Sequence, residues 1–483
     1  MLCSRTLLRS YRIAVLRPCS RDLSVSAIAF NKKSKPNKVA MKRTAPPLKV
    51  APKSKKLRVE VPEYHLTLSL KDENGDPIWP APKDHMTKAR EIIQECAKAN
   101  KKTVICPDKD ADGLTSGVIL HRTLVTLGLS SELIEVHLLE KGTVITDEIE
   151  RRRMASKQPY YIFILDHGSR KSPPLVEYPH KTLVIDHHHA TESDFPSGSQ
   201  HVTACYCPPV ATSSLLTYTL CSPLHPSIPT TCDWLCIIGT HGDLGNTLKW
   251  APPFPDMSAA FTTHTKKALN DAVSLINAPR RTSAYDVHSA WTALLRASDG
   301  PTSILKNARL LRARAEVNAE VERCTHTAPK FSADAKIAVF RISSPAQVHP
   351  VIATRWAGHL RSDKLEVVLV ANEGYLPGYV NFSCRVPKCA RAREPPVNLI
   401  ETLRAVAERS ESGDLVERLG ESFARGHKEA SGGIVPRREF EELMRVMGVG
   451  ERPEKGGNEG KRKKENTSPQ KNTLINYFGR REK

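Results

Sequence analysis

Residues 103–113 read Thr-Val-Ile-Cys-Pro-Asp-Lys-Asp-Ala-Asp-Gly, an apolar run that stops abruptly on three alternating aspartates. A run this short, rich in β-branched residues, fits a buried strand better than a helix. The pattern returns downstream. YYIFIL at 160–165 ends in Asp166-His167-Gly168, and TLVI at 182–185 ends in Asp186-His187-His188-His189. A fourth apolar run, WLCII at 234–238, leads into Gly239-Thr240-His241-Gly242-Asp243 and is read as a further strand end. Near-continuous apolar runs are what a parallel sheet covered on both faces requires. Another strand is expected over Leu133–Leu139. Helical patterns at 84–99, from about Thr115 to Leu127 and at 208–221 complete an α/β alternation.

In open α/β sheets the ligand crevice lies at the carboxyl ends of the strands. Four acidic and imidazole clusters at such ends would share one crevice. Carboxylates packed together repel strongly, and a divalent metal is the simplest compensation. Carboxylate with imidazole suits Mn²⁺ or Mg²⁺, with Zn²⁺ or Co²⁺ also possible. The motifs contain no thiolate, which argues against a structural zinc site.

Outward from this centre, residues 302–323 are rich in helix formers and read as a connector. A second, smaller α/β segment follows. Its strands are expected at Ala335–Ile342, at Leu365–Ala371 and within Gly374–Arg385, and its helices at 397–409 and 437–447. The organisation expected is a basic region over 1–60, a parallel-sheet domain over 84–300, a helical linker over 301–330, a second domain over 331–448 and a tail over 449–483.

The net charge of +20 is unevenly placed: residues 1–60 carry +14 and residues 451–483 carry +5, leaving +1 for the body. The high pI therefore gives no ground for nucleic-acid binding by the body, where any basic groove must be a local patch. Residues 1–30, with arginines at 5, 9, 12, 17 and 21 and Asp22 as the one acid, have the composition of a mitochondrial transit peptide. The Lys/Arg/Pro-rich run at 31–58 reads as a nuclear-localisation stretch, and initiation at Met41 would keep it while removing the transit-like segment. Mitochondrial and nuclear addresses are both expected. Twelve scattered cysteines, including Cys205-x-Cys207 and Cys232-x₃-Cys236, lack repeated CxxC spacing and read as reduced, mostly buried thiols. No stretch of eighteen apolar residues offers a transmembrane helix.

The ordered set DxDADG, DHG, DHH and GTxxD resembles the four motifs of the DHH phosphoesterase superfamily, and its DKDADG form is similar to the RecJ-type nucleases. Ala430-Ser-Gly432-Gly433 resembles the glycine signature of the DHHA1 second domain, with Ile434 in place of the usual His. Asn381-Phe-Ser383-Cys-Arg385 resembles the strand that presents polar groups to substrate there. The resemblance implies a parallel-sheet DHH domain joined by a helical linker to a smaller α/β DHHA1-like domain, and two divalent ions, Mn²⁺ foremost. It implies metal ligands Asp110, Asp112, Asp166, His187 and Asp243, with Asp166 bridging. His188 would face the scissile phosphate or lie just behind the metals, Asp186 would orient the histidines and Asp108 would bind or support the first metal. Ser383, Arg385 and the Gly432–Gly433 backbone would meet substrate phosphates.

The activity this implies is metal-dependent hydrolysis of single-stranded DNA or RNA, or of short oligonucleotides, to mononucleotides. About 35 residues follow the second domain, too few for the OB-fold that bacterial RecJ proteins use to grip long strands. The superfamily leaves open a polyphosphatase, a cyclic-nucleotide phosphodiesterase, or a non-catalytic scaffold of a replication complex. The tail, Lys471-Asn-Thr-Leu474-Ile-Asn-Tyr477-Phe478, resembles a peptide for a PCNA-type sliding clamp. Leu474, Tyr477 and Phe478 could share one face of a helical turn and fill an apolar pocket. That would place the protein in DNA replication or repair.

Overall fold

The computed structural model describes residues 68–451. The transit-like and nuclear-signal-like stretches, Met41 and the tail residues Leu474, Tyr477 and Phe478 lie outside them.

The first sheet has five strands in the order β2-β1-β3-β4-β5, and every pairing is parallel. In chain order its elements are α1 (Lys83–Ala99), β1 (Thr103–Pro107), α2 (Ala111–Thr126), β2 (Ile134–Val136), α3 (Glu148–Ser156), β3 (Tyr161–Leu165), β4 (Lys181–Asp186) and β5 (Gln200–Thr203). Helices α4 (Ser213–Cys221), α5 (Ile228–Leu244), α6 (Ser258–Thr263), α7 (Lys266–Asn277) and α8 (Val287–Arg296) follow. Strand residues alternate between two cores. Ile105, Phe163, Leu165, Leu183 and Ile185 join a large core with α1, α2, α4, α5, α7 and α8. Val104, Cys106, Ile162, Ile164 and Val184 face the other way, onto Met154 of α3. Burial on both faces explains why these strands read as unbroken apolar runs.

Helices α9 (Thr302–Leu305) and α10 (Ala308–Thr325) lead to a second sheet, ordered β10-β11-β9-β8-β7-β6. Its elements are β6 (Lys330–Phe331), β7 (Ile337–Ile342), α11 (His349–His359), β8 (Val367–Asn372), β9 (Tyr379–Arg385), α12 (Leu399–Ala407), α13 (Leu415–Leu419), β10 (Arg425–His427), β11 (Ala430–Pro436) and α14 (Arg437–Val446). Strands β7 and β8 pair in parallel and the rest antiparallel. The α/β architecture expected from the sequence, a parallel sheet followed through helices by a smaller second domain, is therefore the one observed.

Several local expectations are corrected. The WLCII run is part of helix α5, so Asp243 sits in a last helical turn and not at a strand end. Helix α2 starts at Ala111, four residues before Thr115, because Asp110 caps it, accepting the amides of Asp112 at 3.1 Å and Gly113 at 3.2 Å. The strand expected over 133–139 is confined to Ile134–Val136, the helix expected from Pro208 begins at Ser213, and β5 was not anticipated. No disulfide links the cysteines among the described residues, and most of them are buried. No helix among those residues is long and apolar enough to cross a membrane.

Candidate metal centre

The carboxyl ends of β1, β3 and β4 deliver Asp108–Asp112, Asp166 and Asp186–His189 to one edge of the first sheet, and the last turn of α5 brings Asp243 to the same place. Asp166 leaves β3 with φ 67°, a left-handed conformation that Asp tolerates better than most residues. Around His187 Nε2 stand Asp166 Oδ1 at 3.2 Å, Asp243 Oδ2 at 3.3 Å and Asp112 Oδ2 at 4.0 Å. Three overlapping groups have ligand atoms within 4.8 Å of one another: Asp166 with His187 and His188, Asp112 with His187 and Asp243, and Asp108 with Asp110 and Asp166. All five residues expected as metal ligands, with Asp108 and His188, are thus brought together. Asp166 is shared between two of the groups, as a bridging ligand would be.

Asp186 plays a different part. It is fully buried and accepts hydrogen bonds from His188 Nδ1 at 2.8 Å, the His187 amide at 2.8 Å and Ser169 Oγ at 2.6 Å. Burial alone would raise its pKa, but the His188 hydrogen bond and the imidazole charges hold the carboxyl well below the usual range. It fixes the orientation of His188.

Asp112, Asp166 and Asp110 behave oppositely, while Asp108 is lowered, its burial outweighed by the charges of Lys109, His167 and Arg280. Burial, and then the charge of Asp243, push Asp112 up to about 6. Burial followed by Asp112, Asp110 and Asp243 drives Asp166 well above the carboxylate range, and burial raises Asp110. His187 is raised to about 9: burial opposes its charge, but Asp243 and Asp112 outweigh burial. The protein alone thus balances this crowd of acids with protons. Divalent cations supply the same compensation, and a carboxylate–imidazole set is the donor chemistry they take. The residues fit the metals expected of them.

Neighbours that no motif signalled hold the ligands. Ser213 and Ser214 donate their amides to the Asp112 carboxylate, and Ser213 Oγ donates to Asp166 Oδ1 at 2.9 Å. Asn277 Oδ1 accepts the Ala111 amide at 3.2 Å and Arg280 Nε at 3.1 Å, and Arg280 Nη2 lies 3.6 Å from Asp110 Oδ2. Two extra imidazoles are structural: His241 bonds Asn270 at 2.9 Å, and His167 lies 2.9 Å from the Cys106 carbonyl.

The second sheet faces this centre with a cationic wall. Asn381, Ser383 and Arg385 alternate onto one side of β9, while Phe382 and Cys384 enter the core on the other. Arg385 donates to Ser383 Oγ at 2.9 Å and has no carboxylate partner among the described residues. Arg281 has none either, and burial, then the charge of Arg280, lowers its pKa to about 9. His349, buried at the start of α11, is lowered to about 3 and kept neutral, chiefly by burial and then by Arg385 and Arg281. The Arg281 carbonyl accepts the Gln347 amide at 2.8 Å, tying this wall to the helices of the first sheet. Asn381 Oδ1 is buried without a hydrogen-bond partner.

The Gly432–Gly433 pair has a packing role that the sequence did not show. Gly432 lies opposite Ser383 in the β9–β11 ladder, where a side chain would run into the Phe382 carbonyl. At Gly433 a Cβ would stand 2.7 Å from the Ser422 carbonyl. Their lack of side chains lets β9, β11 and the preceding loop close up. Ile434 pairs with Asn381.

Residues 102–240 match the model of the DHH family, N-terminal domain. The matched segment holds the first sheet with Asp108, Asp110, Asp112, Asp166, Asp186, His187 and His188, and stops short of Asp243, Asn277, Arg280 and the wall. Among solved structures, a Mn²⁺ complex of RecJ from Thermus thermophilus is similar at 19% identity and TM-score 0.54, over 77% of this chain and 55% of that one. An exonuclease RecJ bound to manganese is 19% identical with TM-score 0.50, over 77% and 95%. A DHH domain described as a member of a family of ribosomal proteins is 14% identical with TM-score 0.55, over 76% and 91%. The chain spans little more than half the length of the first of these. At such identities the likeness is one of fold. Comparison with curated proteins finds no match.

Proposed function

We propose that the chain is a two-metal-dependent phosphodiesterase, an exonuclease that hydrolyses single-stranded nucleic acid or short oligonucleotides to mononucleotides. The observation that carries this reading is the seating of His187 among Asp112, Asp166 and Asp243, with Asp166 shared by the Asp108–Asp110 group. Divalent ions held there, Mn²⁺ foremost and Mg²⁺ or Co²⁺ in its stead, would acidify bound water and neutralise charge on phosphate oxygens. The chain's own residues supply the rest. Asp186 orients His188 toward the reacting phosphoester. Arg281 and Arg385, half-buried cations without carboxylate partners among the described residues, call for an anion, and a nucleotide chain carries one per residue. Asn381 Oδ1 and Ser383 add polar contacts on the same wall. The RecJ comparison structure described as an exonuclease bound to manganese agrees with this choice of reaction and metal.

A polyphosphatase or cyclic-nucleotide phosphodiesterase is the second reading, because the same cationic wall would hold any chain of phosphates. The intact set of carboxylates and imidazoles counts against a non-catalytic scaffold. Turnover of 5′-labelled single-stranded DNA, short RNA, polyphosphate and a cyclic dinucleotide in Mn²⁺ separates these readings. Mononucleotides released by the wild type but not by Asp166→Ala are expected. Preference for polyphosphate or the cyclic dinucleotide would move the assignment to the second reading, and no turnover by a folded protein would favour the scaffold.

The proposal extends to the ends of the chain. A PCNA-type clamp would be met through Leu474, Tyr477 and Phe478, and mitochondrial and nuclear forms would arise from Met1 and Met41. Loss of clamp capture on replacing the two aromatics with Ala, and loss of the nuclear pool of a C-terminally tagged chain on mutating Met41, are the expected results.

A further inference from the structure

His189 and Tyr206 take no part in the metal centre, yet they stand at its mouth. Strands β4 and β5 run in parallel with Asp186 opposite Thr203, so their carboxyl ends open on the same crevice. The chain leaving β5 is tied to the motif: the Ala204 amide donates to the Asp186 carbonyl at 3.1 Å. Tyr206 follows in the turn closed by the Cys207 amide on the Ala204 carbonyl. Its hydroxyl donates to the Ala190 carbonyl, which anchors the ring, and its ring centroid lies 6.0 Å from that of His189, edge to face at 68°. Held at both ends, the residue still remains 51% exposed. An anchored, half-exposed aromatic beside a catalytic motif has lost its conformational entropy and kept its apolar face in water.

The local charge decides what that face takes. Burial first and Cys205 next raise the pKa of the phenol, and the carboxylates of Asp194 and Glu192, which stand near it, add to the rise. They would repel a phosphate. The uncharged, flat part of a nucleotide suits the position, while Arg281 and Arg385 take phosphates on the cationic wall. We propose that Tyr206, backed by His189, is a stacking platform for a nucleobase next to the scissile phosphate, a specificity determinant for base-bearing strands over bare phosphate chains. The inference rests on the reading that nucleic acid occupies this crevice. Stacking on one aromatic ring changes affinity by about tenfold or more.

The test separates binding from hydrolysis. Full-length protein without added metal is titrated with a short single-stranded oligonucleotide carrying 2-aminopurine, whose fluorescence is quenched by stacking. A matching strand with abasic residues at the same positions is titrated by competition. Wild type and Tyr206→Phe are expected to quench and to prefer the base-bearing strand about tenfold. Tyr206→Ala should lose both quenching and preference while binding the abasic strand as the wild type does. Quenching and preference retained in Tyr206→Ala, or no quenching by the wild type, would overturn the platform. If the wild type quenches but releases no mononucleotide in Mn²⁺, the platform stands and the hydrolytic reading falls.

Discussion

The carboxylate of Asp112 closes the amino end of the helix that begins at Ser213: Oδ2 accepts the Ser213 amide at 2.8 Å and Oδ1 the Ser214 amide at 3.0 Å. An acid from the first turn of α2 thus satisfies orphan donors of α4, and the same carboxylate lies in a metal-ligand group. Asp112→Ala should lower stability by about 1–2 kcal/mol through the lost cap, as well as weakening Mn²⁺ binding. Asp243 lies instead in the last turn of α5, and Asp243→Ala removes a like charge from Asp112. It also removes the carboxylate that pairs with His187 at 3.3 Å, so it should weaken Mn²⁺ binding with little net change in the metal-free melting temperature. Thermal melts of both variants with and without Mn²⁺ check the split.

Arg281 should trade stability for binding. A half-buried guanidinium without a carboxylate partner among the described residues, and beside the charge of Arg280, costs the folded state, and Arg281→Met keeps much of its length without the charge. The melting temperature should rise, while the affinity for a single-stranded oligonucleotide should fall and depend less steeply on salt. A lower melting temperature with unchanged affinity would assign Arg281 to packing.

Gly239 lies where α5 crosses α2 and α4, and a Cβ there would collide with Ser214 Oγ and Thr115 Oγ1. Gly239→Ala should cost about 1–3 kcal/mol of overpacking. Because α5 carries Asp243 one turn later, Mn²⁺ affinity should drop with it. Denaturant unfolding and a Mn²⁺ titration of the same preparation measure both effects.

Acid should weaken the fold through His137. His137 Nε2 lies 2.9 Å from Glu150 Oε2, both side chains fully buried, and burial holds His137 down to about 4 from its ordinary 6.5. Above pH 6.5 the imidazole is neutral whether the chain is folded or not. As pH falls from 6.5 toward 4, the unfolded chain takes up a proton that the folded one refuses, so stability is lost through that window. Glu150 is itself lowered: burial opposes this, but hydrogen bonds from Thr143 and the Glu140 amide outweigh it, and its contribution is lost on further acidification. From pH 6.5 to 4, stability in urea should fall relative to that of His137→Gln, which isolates this contribution from the raised carboxylates of the metal centre. A difference between the two proteins that does not change with pH would contradict this.

The strand-borne part of the site was legible because buried parallel strands write themselves as apolar runs, and an acid or imidazole where such a run stops can face only the crevice. The same logic misread WLCII. A helix packed on every side is as apolar as a buried strand, and so short a run does not separate the two periods. Asp243 was found through its motif and not through its secondary structure. Of the cationic wall, Arg385 and Ser383 were legible through their motif, but Arg281 and His349 escaped because they lie in separate segments and meet Arg385 only through the tertiary fold. Polar β5, four residues long, gave no apolar run, and with it went the position of Tyr206.

The central claim is that these aspartates and histidines hold two divalent ions. Mn²⁺ binding to the purified full-length chain, followed by calorimetry with electron paramagnetic resonance, tests it most directly. Two ions per wild-type chain, with spin coupling between them, and loss of that coupling and of at least one ion in a folded Asp166→Ala variant are expected. A wild type that binds no Mn²⁺, or an Asp166→Ala variant that binds two coupled ions as the wild type does, would contradict the account.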